Sequence, residues 1–270
     1  MVAALAPLVE DPAATAILAD FDGTLAPIIT DPAAVQPLPG VGHLLNQLSD
    51  RFGMVAVVSG RPVSFLADRL RPAARLLLVG LYGLERSAGP GQVVTAPGGE
   101  EWRRVVEASV ARLASEVPDG VTVEPKGLTV TVHWRRDPAR AETAVALAEA
   151  EAAATGLEAH RGRMSIELRP PLAIDKGSVT AELVEAYAAG CFLGDDLGDL
   201  PAFAALDRVS ENRGTFTVKV AAVDDESSPE VAAAADVVVG GPQGALAVLS
   251  WLADRASNGP TEPSSVGGVE

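Results

Sequence analysis

Residues 17–28 read Ile-Leu-Ala-Asp-Phe-Asp-Gly-Thr-Leu-Ala-Pro-Ile: a short apolar run reaches two carboxylates, Asp20 and Asp22, and breaks at Gly23 and Thr24. An Asp-Gly pair is a common turn signal, because glycine accepts positive φ and aspartate bonds its own backbone. Alone, the stretch is a strand followed by a turn. The same pattern returns twice. MVAVV (54–58) runs into Ser59-Gly60-Arg61-Pro62, and the apolar run Cys191-Phe192-Leu193-Gly194 meets Asp195, Asp196 and Asp199. Helical patterns lie between at 40–52, 64–70, 176–189, from about Pro201, and at 244–256, with further apolar strands at 76–80, 217–220 and 236–240. Strands that are continuous apolar runs, alternating with helices, predict an α/β fold with a parallel, Rossmann-like sheet covered on both faces. Ligands gather outside the carboxyl ends of such strands, where all three polar clusters fall.

Residues 97–173 break this rhythm. They read as helix (100–117), strand (121–124), strand (128–135), helix (138–154) and two strands (157–160, 163–168). The period-two alternation from Leu128 to Arg135 marks a half-exposed antiparallel strand. The expected organisation is a discontinuous core, 1–96 and 174–257, carrying an inserted α+β unit at 97–173. The Ala/Glu-rich stretch 140–155 reads as an ordinary solvated helix. Gly, Pro and Ser dominate 258–270, which reads as a disordered tail.

The chain has 270 residues, with 36 acidic against 21 Lys plus Arg, a formal net charge of −15. Such a surface repels phosphate backbones, so nucleic acid is not an expected partner. A small anionic substrate remains compatible, because a bound divalent cation and a few basic residues reverse the potential locally. Cys191 is the one cysteine, so no intramolecular disulfide forms and a reducing, cytoplasmic compartment fits. The first residues carry no basic region and their apolar run stops at Glu10, so neither a signal peptide nor a membrane span is expected. Nothing in the sequence encodes an oligomeric state.

Each polar cluster has a plain structural explanation. Ser59 can cap the helix after Pro62, and Asp199 the helix at Pro201. Lys176 at a helix start is mildly unfavourable against the dipole unless an anion lies beside it. Together, however, DFDGTL, VVSGR, DKG and GDDLGD supply in order the four motifs of the haloacid dehalogenase (HAD) superfamily of phosphohydrolases, which the chain resembles. The insertion is similar to that superfamily's larger, C2-type α/β cap. DFDGTLAPIITDPAAVQPLPG, VVSGRP, GLYGLE, EPKGLTVTVHWR, GRMSIELRP and DKGSVTAEL resemble the trehalose-6-phosphate phosphatases within it, over nearly all of residues 16–252.

That resemblance implies an Mg²⁺-dependent phosphatase converting trehalose 6-phosphate to trehalose and phosphate. Asp20 is then the nucleophile and Asp22 the general acid and base. Ser59, the Gly60 N–H and Lys176 would bind the phosphoryl oxygens. Asp20, Asp195 and the Asp22 backbone carbonyl would hold the metal, with Asp199 and Asp196 orienting its surroundings, and Gly23 would let the backbone approach closely. Glu124, Lys126, Arg135 and Glu167 would line the disaccharide face of the cap, with Arg61 near the cleft. The fourth motif departs from the family's usual GDDxTDED: Gly198, Leu200 and Pro201 replace the Thr and the later Glu-Asp pair, and Tyr82-Gly83 stands for the usual His-Gly. The core motifs alone also permit a phosphatase for another sugar phosphate, or a catalytically silent sugar-phosphate sensor.

Overall fold

The computed structural model describes residues 2–89, 91–162, 164–224 and 227–257; the expected disordered tail lies outside the described residues. In chain order the strands are β1 (Thr15–Ala19), β2 (Met54–Val58), β3 (Leu76–Gly80), β4 (Glu85–Gly89), β5 (Gln92–Thr95), β6 (Thr122–Pro125), β7 (Val130–His133), β8 (Glu158–Gly162), β9 (Ser165–Arg169), β10 (Ala189–Gly194), β11 (Phe216–Val223) and β12 (Val237–Gly240). The helices are α1 (Val2–Leu5), α2 (Val41–Ser49), α3 (Val63–Leu70), α4 (Arg103–Glu116), α5 (Ala141–Thr155), α6 (Lys176–Val184), α7 (Leu200–Arg213), α8 (Pro229–Ala234) and α9 (Gly241–Ser257).

Among the described residues the strands form two sheets. The larger has the order β12-β11-β10-β1-β2-β3-β4-β5. Its first six strands pair in parallel, and β4 and β5 add an antiparallel edge. The predicted mostly parallel α/β sheet is therefore present. Both its faces are covered. Ile17, Val55, Cys191 and Val218 pack with α2, α3 and α9, whereas Leu18, Ala56, Phe192 and Ala221 pack with α6, α7 and α8. From β1 the chain moves outward one way through β2 and β3, then restarts at β10 on the other side. The order reverses between β1 and β10, and a crevice opens outside their carboxyl ends at such a switch point.

The smaller sheet, β6-β7-β9-β8, is antiparallel. Val130, Val132, Ile166 and Leu168 face α4 and α5 and form a separate apolar core with Val106, Leu113, Ala144 and Ala148. The predicted solvated helix at 140–155 thus has one buried stripe of small side chains, and its Glu151 is buried where Ser109 and Arg112 bond it.

Some details differ from the sequence reading. The β4–β5 hairpin is built from a polar strand, Glu-Arg-Ser-Ala-Gly, which carries no apolar alternation to announce it. The helix expected over 176–189 ends at Val184, because Ala188 turns back to donate to the Ala14 carbonyl and the Tyr187 hydroxyl reaches that of Gly53. No helix among the described residues is long and apolar enough to cross a membrane.

The core beside the switch point is tested by Phe192, fully buried in β10 and edge-on to Phe203 of α7 with ring centroids 6.2 Å apart. Phe192→Ala should destabilise the fold by about 3–5 kcal/mol through lost burial and a residual cavity, measured by urea unfolding.

Candidate active site

β1 delivers Asp20 and β10 delivers Asp195, and the two strands are neighbours, so both carboxylates stand at one end of the sheet. The chain passes Asp195 by a left-handed turn at Gly23 (φ +81°), where a Cβ would lie 2.0 Å from Asp195 Oδ2. A side chain there meets both strain and collision. Thr24, buried beside it, donates to Asp195 Oδ1 at 3.0 Å.

Lys176 enters from the first turn of α6, whose start is fixed by a reciprocal capping box between Asp175 and Ser178. Its Nζ lies 2.9 Å from Asp20 Oδ1 and 2.6 Å from Asp199 Oδ1. Asp199, fully buried, spends its other oxygen on the backbone N–H groups of Asp195 and Asp196, at 2.9 and 3.2 Å. Asp196 is exposed and caps the turn at Leu197–Asp199 through Gly198 N–H.

The electrostatics are crowded. Burial pushes the Asp20 carboxyl well above its ordinary value against the pull of Lys176, and Asp199, Asp196 and Asp22 push it further. Burial, then Asp199 and Asp20, does the same to Asp195. Burial opposes the Lys176 charge, but Asp199 and Asp20 outweigh it and raise its pKa. One ammonium does not balance this many buried carboxylates.

Ser59 is buried at the end of β2, and its Oγ accepts the Arg61 backbone N–H at 3.2 Å. The Arg61 guanidinium forks onto Asp22, with both N–O distances 2.8 Å, and reaches Glu124 Oε1 at 3.4 Å on the smaller sheet. Arg61 lines the cavity and bridges the two sheets. Gly60 is the one residue that fits beneath Tyr82, since a Cβ would meet the Tyr82 hydroxyl at 2.5 Å.

The smaller sheet turns its polar face to this end. Asp20, Asp22, Ser59, Lys176 and Asp195 line a cavity of about 800 Å³ together with Glu124, Lys126, Arg135 and Glu167. Glu167 is buried and accepts from Thr129 (2.7 Å), Lys126 (3.3 Å) and Arg169 (3.0 Å). Burial opposes its charge, but Lys126 and Arg169, with bonds from Thr129 and Tyr82, lower its pKa to about 2. Glu124 pairs with His133 at 2.8 Å, and Arg135 lines the same wall half-buried.

A match to the trehalose-phosphatase family covers residues 18–238. The chain belongs to that family. It is 32% identical over 211 residues to a probable trehalose-phosphate phosphatase of Sinorhizobium fredii, covering 76% of this chain and 78% of that one. It is 29% identical over 244 residues to the trehalose-6-phosphate phosphatase of Escherichia coli, covering 86% and 88%. The mycobacterial relatives are longer, and the alignment with the trehalose-phosphate phosphatase of Mycobacterium marinum, 33% identical, spans 71% of this chain and 51% of that one. In fold, the chain is similar to a trehalose-6-phosphate phosphatase related protein (TM-score 0.74, 24% identity, 90% of this chain and 98% of that one) and to the C-terminal domain of Candida albicans trehalose-6-phosphate phosphatase (TM-score 0.73, 23% identity, 92% and 96%).

The donor set fits a divalent metal. Oxygens of Asp20, Asp195 and Asp199 lie within 4.8 Å of one another, all buried, and hard oxygen donors suit a hard cation. Because both Asp199 oxygens are already bonded, this residue is placed to hold Lys176 and the 195–196 backbone rather than to reach outward. Leu200 and Pro201, which follow Asp199, take no part in its bonds to Lys176 and the 195–196 backbone. The exposed Asp196 stands outside the buried triad.

Four residues at this site are given no role by the sequence. Thr24 reads as a turn residue, His133 as a strand residue, and Arg169 as the residue after a strand. Tyr82 has φ +61°, and Leu81 before it has φ +49°. Left-handed backbone at two consecutive non-glycine residues stores strain. It turns Tyr82 under the Arg169 guanidinium, 3.3 Å from its ring centroid, and toward Glu167.

Two outcomes follow from this geometry. Gly23→Ala should cost roughly 1–3 kcal/mol in stability and weaken divalent-cation binding, read by thermal unfolding and calorimetric titration. Glu167, with its folded pKa lowered to about 2, stabilises the protein fully above the ordinary carboxylate range. That contribution is lost as pH falls through about 2. Glu167→Gln should therefore flatten the decline in unfolding free energy between about pH 4.5 and 2, measured by denaturant titration across pH.

Proposed function

We propose that the chain hydrolyses trehalose 6-phosphate to trehalose and inorganic phosphate, with Asp20 as nucleophile and Asp22 as proton carrier. The observation that carries this reading is one cavity with two unlike walls. Buried Asp20, Lys176, Asp195 and Ser59 stand on one side, and the Glu124–Lys126–Glu167 wall stands on the other. The first wall suits a phosphoryl group, the second a polyhydroxyl body whose hydroxyls take charged partners.

Asp20 attacks phosphorus, the bond from phosphorus to the sugar oxygen breaks, and the departing oxygen takes a proton from Asp22. Water then attacks the aspartyl phosphate, giving its proton to Asp22, and the Asp20 carboxylate is regenerated. Ser59, the Gly60 N–H and Lys176 hold the phosphoryl oxygens as charge shifts during transfer. A divalent ion, for which Mg²⁺ is proposed, would be held by Asp20, Asp195 and the Asp22 carbonyl; it supplies charge neutralisation, without which an anionic nucleophile meets a phosphate dianion. To carry a proton, Asp22 has to leave the Arg61 fork, and the incoming phosphoryl oxygens offer Arg61 a stronger anionic partner.

Residues 97–173 would act as a cap hinged near 95–98 and 170–174, closing over ligand to exclude water. Arg61–Glu124 and Tyr82–Arg169 are contacts between that unit and the sheet carrying Asp20. With one cysteine, buried and free, the chain fits a reducing compartment, and the cytoplasm is the proposed location.

Phosphate release across a panel of sugar phosphates, with and without Mg²⁺, tests the reading. Trehalose 6-phosphate should be turned over best and only with the metal; preference for another sugar phosphate would change the substrate, and silence on all would indicate a sensor. Asp20→Asn should abolish release while the fold persists. Asp22→Asn should slow the sugar ester far more than an aryl phosphate, whose leaving group needs little protonation.

A further inference from the structure

On the polar face of the smaller sheet one row crosses all four strands. Glu124 on β6 faces Thr131 on β7, Thr131 faces Glu167 on β9, and Glu167 faces His160 on β8. Three members of the row have partners inside the protein. Glu124 is met by Arg61 and His133, Glu167 by Thr129, Lys126 and Arg169, and His160 lies 3.6 Å from Glu158. Thr131 differs. It is 3% exposed and lines the 800 Å³ cavity, yet its Oγ has no hydrogen-bond partner among the described residues.

A buried hydroxyl without a partner costs free energy, and valine would fill this strand position with the same branching and no polar atom. The chain carries that cost on the wall that faces the ligand space. What could complete it is constrained by the neighbours. Thr131 lies between two carboxylates that already engage Arg61, His133, Lys126 and Arg169, so no free cation is aimed at it to hold an anionic group, and the phosphoryl end belongs at Lys176 across the cavity. The fitting partner is neutral and both gives and accepts a hydrogen bond, which describes a sugar hydroxyl.

We propose that Thr131 Oγ is a contact for a hydroxyl of the bound sugar, seated between Glu124 and Glu167. This rests on the sugar-phosphatase reading above. The arrangement has a double consequence. Removing the hydroxyl relieves a cost in the free protein and removes a bond in the complex, so stability and sugar recognition move in opposite directions.

The test compares Thr131→Val and Thr131→Ser with the unaltered protein in three measurements: melting temperature without ligand, kcat/KM for trehalose 6-phosphate, and kcat/KM for a small aryl phosphate. Thr131→Val should melt at or above the unaltered protein, lose roughly two- to tenfold in kcat/KM on the sugar ester, and keep its aryl activity. Thr131→Ser should recover most of the sugar activity. Undiminished sugar turnover in Thr131→Val, an equal loss on both esters, or a lowered melting temperature would each overturn the assignment. A lowered melting temperature would mean that the hydroxyl is satisfied without the sugar. The substrate reading fails separately, if the unaltered protein ignores trehalose 6-phosphate; the Thr131 ratio is then taken on the sugar phosphate it does hydrolyse. Hydrolysis of the aryl ester and of no sugar ester overturns both.

Discussion

The Lys176 ammonium, held 2.9 Å from Asp20 and 2.6 Å from Asp199, is the contact around which the catalytic end is arranged. Carboxylates this deeply buried repel one another, and burial weakens the screening between them. The protein answers with a lysine launched from a capped helix, backbone N–H groups turned onto Asp199, and the Thr24 hydroxyl on Asp195. These donors leave the site short of positive charge. The remaining deficit is what makes a divalent cation a natural occupant and a phosphate ester an approachable substrate.

The second sheet solves a different problem. Its apolar face is consumed by α4 and α5, which frees the other face to be polar throughout, and this polar face is presented to the mouth of the first sheet. Paired charges keep that wall from repelling or collapsing: Lys126 and Arg169 hold Glu167 ionised, and His133 and Arg61 hold Glu124. Arg61 belongs to both walls, since one guanidinium meets Asp22 and Glu124. Asp22 at the end of the larger sheet and Glu124 on the smaller one are thereby linked through a single side chain.

Much of this was readable in advance where local chemistry and global fold agree. Strands β2 and β3 were bounded to the residue, because uninterrupted β-branched and aliphatic runs between turn residues leave few alternatives. Strand β4 was not, because Glu85–Gly89 is a polar edge strand whose pairing depends on β3 and β5 rather than on its own pattern. Among site residues, Asp20, Asp22, Lys176 and Asp195 sit in motifs at strand ends and helix starts. Tyr82, Thr24 and Arg169 gain their meaning from partners far along the chain, as Thr24 does from Asp195, 171 residues away, and His133 gains its own from Glu124 on the adjacent strand.

The sequence alone determined the alternation of strands and helices, the break in that rhythm at 97–173, and the residue types gathered at the carboxyl ends of the strands. These follow from periodicity and turn chemistry, which act over a few neighbours. Tertiary structure decided which carboxylates face one another, that Asp199 spends both oxygens inside the protein, that Arg61 spans two sheets, and that the Thr131 hydroxyl has no partner among the described residues. Each of these depends on strand order, register and close backbone approach, quantities fixed when distant segments pack together and absent from any local stretch of the chain.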